Sequence, residues 1–346
     1  MASFRARRAS APERTDLYQD ITDRIIAQLE QGRVPWVQPW DSAAAALDLP
    51  VNASTRARYS GINILILWSA MIERGFTTNR FLTFRQALEL GGNVRKGERG
   101  MTVVYAHRYT PQQERERARE EDRTPGTIPF LKRYTVFSTD QCDGLPEDLS
   151  APVAPVDRSL ILPEADALIR ATGADIRIMG GEAFYVPSRD YIQIPRPDAF
   201  PDPINWHRTA FHELGHWTGH PSRLSRDQSG RFGSPEYGRE ELCAEMTSAF
   251  VCAALGIEPS VRHADYLGSW LAILREDNRA IVRAASAASK AADFLLAFGR
   301  GKRRRPSSRG RREVAARANG GIRARASPSP DRRRPPHRGK GKPGAS

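Results

Sequence analysis

Five residues, His212-Glu213-Leu214-Gly215-His216, form an H-E-x-x-H pattern inside the segment PDPINWHRTAFHELGHW, which is predicted to be a helix that continues through Trp217. On an α-helix, residues four apart share a face, so both imidazoles can reach one tetrahedral metal ion. Glu213 would then act as the catalytic general base on a water whose pKa zinc lowers to about 7. The motif therefore predicts a helix that carries a zinc site, the alternative being a solvated helix face with two histidines.

A third protein ligand is expected from a downstream helix, where the segment REELCAE offers Glu240, Glu241 and Glu245. Glu241 and Glu245 are four residues apart and share a face, and buried carboxylates in such an apolar helix need partners. We favour Glu241 as the metal ligand and Glu245 as the group that holds an imidazole N–H. The reverse assignment of these two glutamates stays open.

Three other side chains near the motif have weaker roles. His220 comes two residues too early for the third histidine of the HExxHxxGxxH pattern, so it is interpreted as a loop residue near the site. Tyr237 either stabilises an oxyanion or packs as an ordinary tyrosine, and both readings stay open. His207 lies five residues before His212, off its face, and receives no role.

The order of predicted elements indicates an α+β fold with two domains, 15–150 and 157–298. A β-hairpin at 183–195, with Tyr185, Tyr191 and Ile192, is expected to run beside the metal and to pair with an extended peptide. Residues 110–127 are predicted to be a disordered loop, and the Pro-rich residues 143–156 a linker. The predicted helices are 15–31, 61–74, 83–90, 163–172, 201–217, 237–256 and further helices within 261–298. The remaining predicted strands are 101–109, 130–138 and 176–179.

The net charge of +13 is concentrated at the C-terminal end. Residues 300–346 hold 17 Lys or Arg and 2 acidic residues, which leaves a net charge of −2 for the rest. This end has almost no large apolar residues, so residues 299–346 are expected to be a disordered Arg-rich tail. Two readings stay open: the tail binds nucleic acid through counterion release, or it is a dispensable extension.

Several features predict a cytoplasmic protein with no membrane partner. No stretch approaches the roughly 20 apolar residues of a membrane span, and no apolar run follows the basic N-terminus. The three cysteines, Cys142, Cys243 and Cys252, lack the spacing of a zinc knuckle and are an odd number, which argues against a disulfide scaffold.

The N-terminal part carries residue types that bind single-stranded nucleic acid. Aromatic rings offer faces for base stacking, and a Gly-rich basic turn, GGNVRKGERG, offers charge for the phosphate backbone. The alternative is that the tryptophans are core residues and the turn is an ordinary solvated hairpin. The candidate DNA-binding residues are Trp36, Trp40, Tyr59, Arg85, Arg95, Lys96 and Arg99.

Several blocks of the sequence resemble a known family. FHELGHWTGHPSRLSRD and FGSPEYGREELCAEMTSAFVCAALGI resemble the metallopeptidase domain of ArdC-type antirestriction proteins. WVQPW, NASTRARYSGINILIL, NRFLTFRQALELGGNVRKGERGMTVVY and FLKRYTVFSTDQCDGLP resemble the N-terminal single-stranded-DNA-binding domain of that family, which TraC-type plasmid primases share. The resemblance covers residues 15–298 and implies a zincin-like second domain.

The resemblance also implies a function and a set of metal ligands. Proteins of this family bind single-stranded DNA and protect incoming plasmid or phage DNA from host restriction. Their metal site would correspond to His212, His216 and Glu241, with Glu213 as catalytic acid/base. Zinc is the expected ion, although Co²⁺ or Mn²⁺ can occupy the same ligands.

Three functional hypotheses follow. The first joins single-stranded DNA binding to a zinc metallopeptidase that acts on a restriction-related protein substrate. The second is a DNA-coating protein in which the metal is structural. The third is a metallopeptidase that cleaves a regulatory protein.

Overall fold

The computed structural model describes residues 16–37, 48–151, 158–259 and 266–300, and these confirm the α+β prediction. The helices are α1 (Leu17–Glu30), α2 (Ile62–Arg74), α3 (Phe84–Glu89), α4 (Gln112–Glu120), α5 (Glu147–Ser150), α6 (Arg158–Thr172), α7 (Pro203–Trp217), α8 (Pro235–Ala254), α9 (Leu267–Glu276) and α10 (Ala280–Arg300). The strands are β1 (Val51–Asn52), β2 (Arg80–Leu82), β3 (Asn93–Val94), β4 (Met101–Tyr109), β5 (Ile128–Ser138), β6 (Cys142–Asp143), β7 (Asp175–Ile178), β8 (Phe184–Val186) and β9 (Tyr191–Ile194). The 299–346 tail falls outside the described residues except for the end of α10.

Local chemistry explains the helices of the N-terminal segment. Asp16 caps α1 by accepting a hydrogen bond from the Tyr18 N–H, and the buried residues of α1 recur at helical spacing. Thr83 and Gln86 form a reciprocal capping box at the start of α3. Within the described ranges, we find no helix whose length and apolarity would let it cross a membrane.

The strands form three small sheets. The first has the order β1-β2-β5-β4, in which β1 and β2 are parallel and the other pairs antiparallel. The predicted antiparallel pair is confirmed, because β4 and β5 pair continuously from Met101–Val136 to Tyr109–Ile128. The second sheet pairs β3 with β6, and the third has the order β7-β9-β8, so β8 is an edge strand.

Two segments differ from the predictions. Residues 110–127 are not a disordered loop, because α4 forms there with good helix formers and an Arg117–Glu121 ion pair four residues apart. The predicted linker at 143–156 contains β6 and α5 in its first half. Leu145 and Leu149 bury their side chains in a small apolar cluster, which orders this stretch. Residues 152–157 lie outside the described ranges.

The N-terminal and C-terminal segments share one apolar core. Trp36 is fully buried and packs edge-to-face on Trp270 of α9, with ring centroids 5.5 Å apart. Trp68 of α2 packs in the same way on Phe250 of α8, at 5.7 Å. Thr22 Oγ1 also donates a 2.7 Å hydrogen bond to the Asn278 carbonyl. The site described below therefore rests on helices that the N-terminal segment helps to hold.

We expect Trp36→Ala to lower the free energy of unfolding by about 3–5 kcal/mol, because it removes a buried ring from the shared core. Trp36→Phe keeps an aromatic ring against Trp270 and should lose less. Urea unfolding followed by circular dichroism measures both. An alanine variant as stable as the parent would show that Trp36 does not hold the two segments together.

Candidate metal centre

Helices α7 and α8 carry the candidate ligands, and each begins with a capping side chain followed by proline. Asp202 caps α7 by accepting from the Ile204 N–H, and Ser234 caps α8 by accepting from the Tyr237 N–H. Each helix has proline at its first position, where a missing N–H costs nothing.

The two helices pack closely because Gly215 has no side chain. A Cβ atom on Gly215 would lie 3.2 Å from Ala244 Cα and 3.3 Å from Thr247 Cβ. This close approach positions Glu241, one turn before Ala244, opposite the histidine face of α7.

The structure brings together the three predicted ligands, His212, His216 and Glu241, with one ligand atom of each within 4.8 Å of the others. The two Nε2 atoms are 3.2 Å apart, and the Glu241 carboxylate lies 3.5 Å from His212 Nε2 and 3.4 Å from His216 Nε2. Two imidazole nitrogens and a carboxylate oxygen that converge on one point are a donor set that divalent cations take. The residues present therefore fit a metal ion.

The outer nitrogens of both imidazoles also face carboxylates. Glu245 Oε1 lies 3.7 Å from His212 Nδ1, which is an ion-pair distance and longer than a hydrogen bond. Glu240 Oε1 lies 3.2 Å from His216 Nδ1, a role that the sequence reasoning did not assign. No local spacing could have identified this role, because the contact depends on how α8 is rotated against α7.

Glu240 is held by two side chains of the loop after α7. Arg226 donates from Nε at 2.9 Å and from Nη2 at 2.7 Å, and Gln228 Nε2 donates at 3.1 Å. A carboxylate fixed in this way holds the His216 ring in one orientation.

These contacts set the charges of the buried groups. Burial alone would lower the pKa of His216, but the Glu240 and Glu241 carboxylates raise that pKa to about 10. Although burial opposes it, hydrogen bonds to the two histidines hold the pKa of Glu241 well below its usual range. Arg226 and His216 outweigh burial in the same way and lower the pKa of Glu240. The site therefore keeps both carboxylates ionised.

A cleft of about 240 Å³ opens onto the three converging groups, and Glu213 and Tyr237 line it. The hydroxyl groups of Tyr237 and Tyr266 are 3.3 Å apart. Burial, that contact and the nearby Glu241 charge raise the pKa of Tyr237, so its O–H stays protonated at neutral pH.

The edge strand β8 forms one wall of the cleft, with Phe184 and Tyr185 among the lining residues. Tyr185 donates a 2.9 Å hydrogen bond to Asp190, and Arg223 pairs with the same carboxylate. The Arg223 guanidinium also lies 3.9 Å from the centre of the Trp217 ring. The hairpin is thus fixed above the end of α7. Tyr191 and Ile192 lie on the central strand β9 and not on the edge.

Two further histidines of the described residues, His207 and His220, are not among the converging ligands. His220 lies in the turn after α7, with Nδ1 2.7 Å from Ser222 Oγ. His207 Nε2 lies 2.9 Å from Asp166 Oδ1 and supports the packing of α6 on α7.

The predicted DNA-binding residues do not form one surface. The stacking role predicted for Trp36 and Tyr59 is wrong for this structure, because both rings are buried, at 0% and 4% exposure. Tyr59 packs on Phe81 in the core. Trp40 lies outside the described residues.

The basic candidates are exposed, but two of them already have acidic partners. Arg85 pairs with Glu89, and Arg95 pairs with Glu98 and Asp143. Lys96 and Arg99 are exposed on the Gly-rich turn.

Two family models match the chain in the order of its two segments. The model for the N-terminal domain of anti-restriction factor ArdC matches residues 15–137, and the zincin-like metallopeptidase model matches residues 163–287. The fold and the site thus define a zincin-like metallopeptidase domain joined to an ArdC-type N-terminal domain.

Whole-chain similarity agrees with these matches. The protein y4eC of Sinorhizobium fredii is 40% identical over 292 residues, which cover 82% of this chain and 92% of y4eC. Crystal structures of antirestriction protein ArdC from plasmid R388 superpose with TM-scores of 0.69 (metal-free, 41% identical) and 0.68 (Mn(II)-bound, 40% identical). They cover 84% and 83% of this chain and 100% of the ArdC chains. The chain belongs to the ArdC antirestriction family.

A DNA primase TraC of Escherichia coli is also similar, at 38% identity over 301 residues. The match covers 81% of this chain but 27% of the primase.

We expect Gly215→Ala to weaken zinc binding and to lower the free energy of unfolding by about 1–3 kcal/mol, because the added methyl group pushes α8 away from α7. Gly268→Ala in α9 is the matched control, since a Cβ there meets nothing within 4 Å. The control should gain about 0.5–1 kcal/mol and bind zinc as the parent does. Isothermal titration calorimetry and urea unfolding measure both effects. Equal zinc affinity in the Gly215 variant would contradict the role of this helix contact.

Proposed function

We propose that this protein protects transferred plasmid or phage DNA from restriction in the cytoplasm by combining single-stranded DNA binding with a metal-dependent peptidase site. The observation that carries the peptidase half is the convergence of His212, His216 and Glu241 beside Glu213 in an open cleft. Membership of the ArdC family supports the antirestriction role, and the similarity to a DNA primase supports action on DNA.

Zinc is our proposed native ion, held by His212, His216 and Glu241. Two imidazoles and a carboxylate suit zinc, and Co²⁺ or Mn²⁺ fit the same ligands. The Mn(II)-bound structure of the R388 relative supports a divalent ion in this family. When bound, such an ion supplies a Lewis acid that polarises a carbonyl group and acidifies water.

Each of several side chains of the cleft then has a separate role in peptide hydrolysis. Glu213 takes the proton of the attacking water and returns it to the leaving amine. Tyr237 keeps its proton and donates a hydrogen bond to the oxygen that becomes negative on the scissile carbonyl. Glu240 and Glu245 hold the two imidazoles in place. The free edge of β8 pairs with the extended substrate.

The outer end of the β4–β5 hairpin is our proposed stacking surface for single-stranded DNA, in place of the buried rings. Tyr105 and Tyr109 are 40% and 55% exposed. Tyr105 packs edge-to-face on Tyr134, and Lys132 lies 5.1 Å from the centre of the Tyr134 ring. Exposed aromatic rings beside a basic residue bind bases of any sequence.

We expect Glu213→Gln to abolish cleavage of casein, because the amide cannot accept the proton of water, and to leave zinc content and DNA affinity unchanged. Glu236→Gln is the control, since Glu236 also lines the cleft but its side chain is half-exposed. Casein cleavage, elemental analysis and plasmid transfer into a restricting host are measured together. If protection survives in an inactive Glu213→Gln protein, antirestriction works by coating DNA and not by catalysis.

We expect Tyr105→Ala combined with Tyr109→Ala to weaken binding of oligo(dT) by at least about tenfold, since each stacked base contributes about 1–3 kcal/mol. Phe232→Ala, which removes an exposed ring elsewhere, should leave the affinity unchanged. Fluorescence anisotropy is measured on the full chain and on a chain that ends at Arg300. If only the truncation weakens binding, the affinity belongs to the Arg-rich end and the hairpin assignment is wrong.

A further inference from the structure

A second cleft, of about 520 Å³, lies between α1, α10 and residues 224–226. Four cationic side chains line it: Arg226, Arg279, Arg283 and Lys290. Tyr18 and Ser286 line it as well, and none of the described residues in its lining is acidic. This concave surface is therefore strongly positive although the chain without its basic end has a net charge of −2.

Acidic groups outside the cleft balance half of this charge. Asp277 pairs with Arg283, and Glu240 pairs with Arg226. Among the described residues, none forms an ion pair with the side chain of Arg279 or of Lys290. The Arg279 guanidinium lies 4.9 Å from the centre of the Tyr18 ring. Two positive charges thus remain for a ligand.

The spacing of these side chains indicates an elongated ligand. Positions 283, 286 and 290 recur at intervals of three or four on one face of α10, and Arg279 immediately precedes this helix, four residues before Arg283. At 1.5 Å per residue the row extends for about 16 Å, which is longer than a single phosphate group. A chain of phosphates matches such a row better than one small anion does.

The cleft also adjoins both surfaces described above. Arg226 faces it while it holds Glu240, the partner of His216. On the other side, Asp20 of α1 lies 3.8 Å from Arg133 of β5, so the first turns of α1 connect the cleft to the β4–β5 hairpin.

We propose that this cleft binds the phosphodiester backbone of single-stranded DNA and carries the strand from the β4–β5 hairpin past α1 to the side of the metal centre. The assignment rests on the single-stranded DNA binding proposed above. It adds a phosphate-binding site, with Arg279 and Lys290 as the residues that contact the strand. A protein bound to the same DNA would then come close to the peptidase cleft.

The test compares Arg279→Ala combined with Lys290→Ala to a control with the same charge loss, Arg170→Ala combined with Arg196→Ala. The control side chains are 70% and 74% exposed and lie outside the cleft. Full-length proteins are titrated against fluorescein-labelled (dT)15 at several salt concentrations. The cleft variant should bind about tenfold more weakly. The slope of log K, the association constant, against the logarithm of the salt concentration should be shallower by about 1.4, which is about 0.7 for each of the two lost phosphate contacts. The control should stay within about twofold.

Three results would each overturn a different proposal: the cleft as a binding site, the proposed function, or the DNA strand as the ligand. If the parent binds (dT)15 and the cleft variant keeps both affinity and salt slope, the cleft proposal is wrong and the proposed function stands. If the parent does not bind (dT)15, the proposed function fails and this inference fails with it. If only the binding of inorganic phosphate, measured by calorimetry, is lost in the cleft variant, the cleft takes a free anion and the strand assignment is overturned. Equal thermal unfolding of all variants shows that they are folded.

Discussion

The close contact between α7 and α8 is the constraint on which the site depends. Gly215 lets the backbone of α8 approach α7 at Ala244, and this distance places the Glu241 carboxylate between two imidazoles. Such a group of charges would be costly to bury if any member lacked a partner. Glu240 and Glu245 on the outer nitrogens, together with Arg226, complete the set of contacts. These contacts orient both imidazoles and the Glu241 carboxylate toward one point.

Arg226 lies beside both the metal-centre cleft and the basic cleft next to α10. It holds Glu240 with two nitrogens, and it is also one of the residues that line the basic cleft beside α10. The N-terminal segment forms the other wall of that cleft through α1 and also shares the apolar core. The ArdC-type N-terminal segment and the zincin-like segment are thus connected by packing in one apolar core.

Much of the site could be predicted from residue spacing, because residues four apart in an α-helix lie on the same face. That rule brought together His212 and His216, and it selected the pair Glu241 and Glu245 within the second helix. It did not select Glu240, because the partner of His216 Nδ1 depends on how α8 is rotated against α7. The error at residues 112–120 has a different origin. The high charge of this segment predicts disorder, but the charged residues pair at helical spacing and Ala118 is buried, and both contacts favour α4.

The sequence by itself determined the longer helices, the H-E-x-x-H face and the family resemblance, because each of these depends on neighbours within a few residues or on the order of sequence blocks along the chain. Only the tertiary structure decided which aromatic rings are available to a ligand. Trp36 and Tyr59 are buried and Tyr105 and Tyr109 are exposed, although all four are aromatic residues of the same segment. Burial depends on contacts between residues far apart in the chain, such as Trp36 with Trp270, and local patterns contain no information about such contacts.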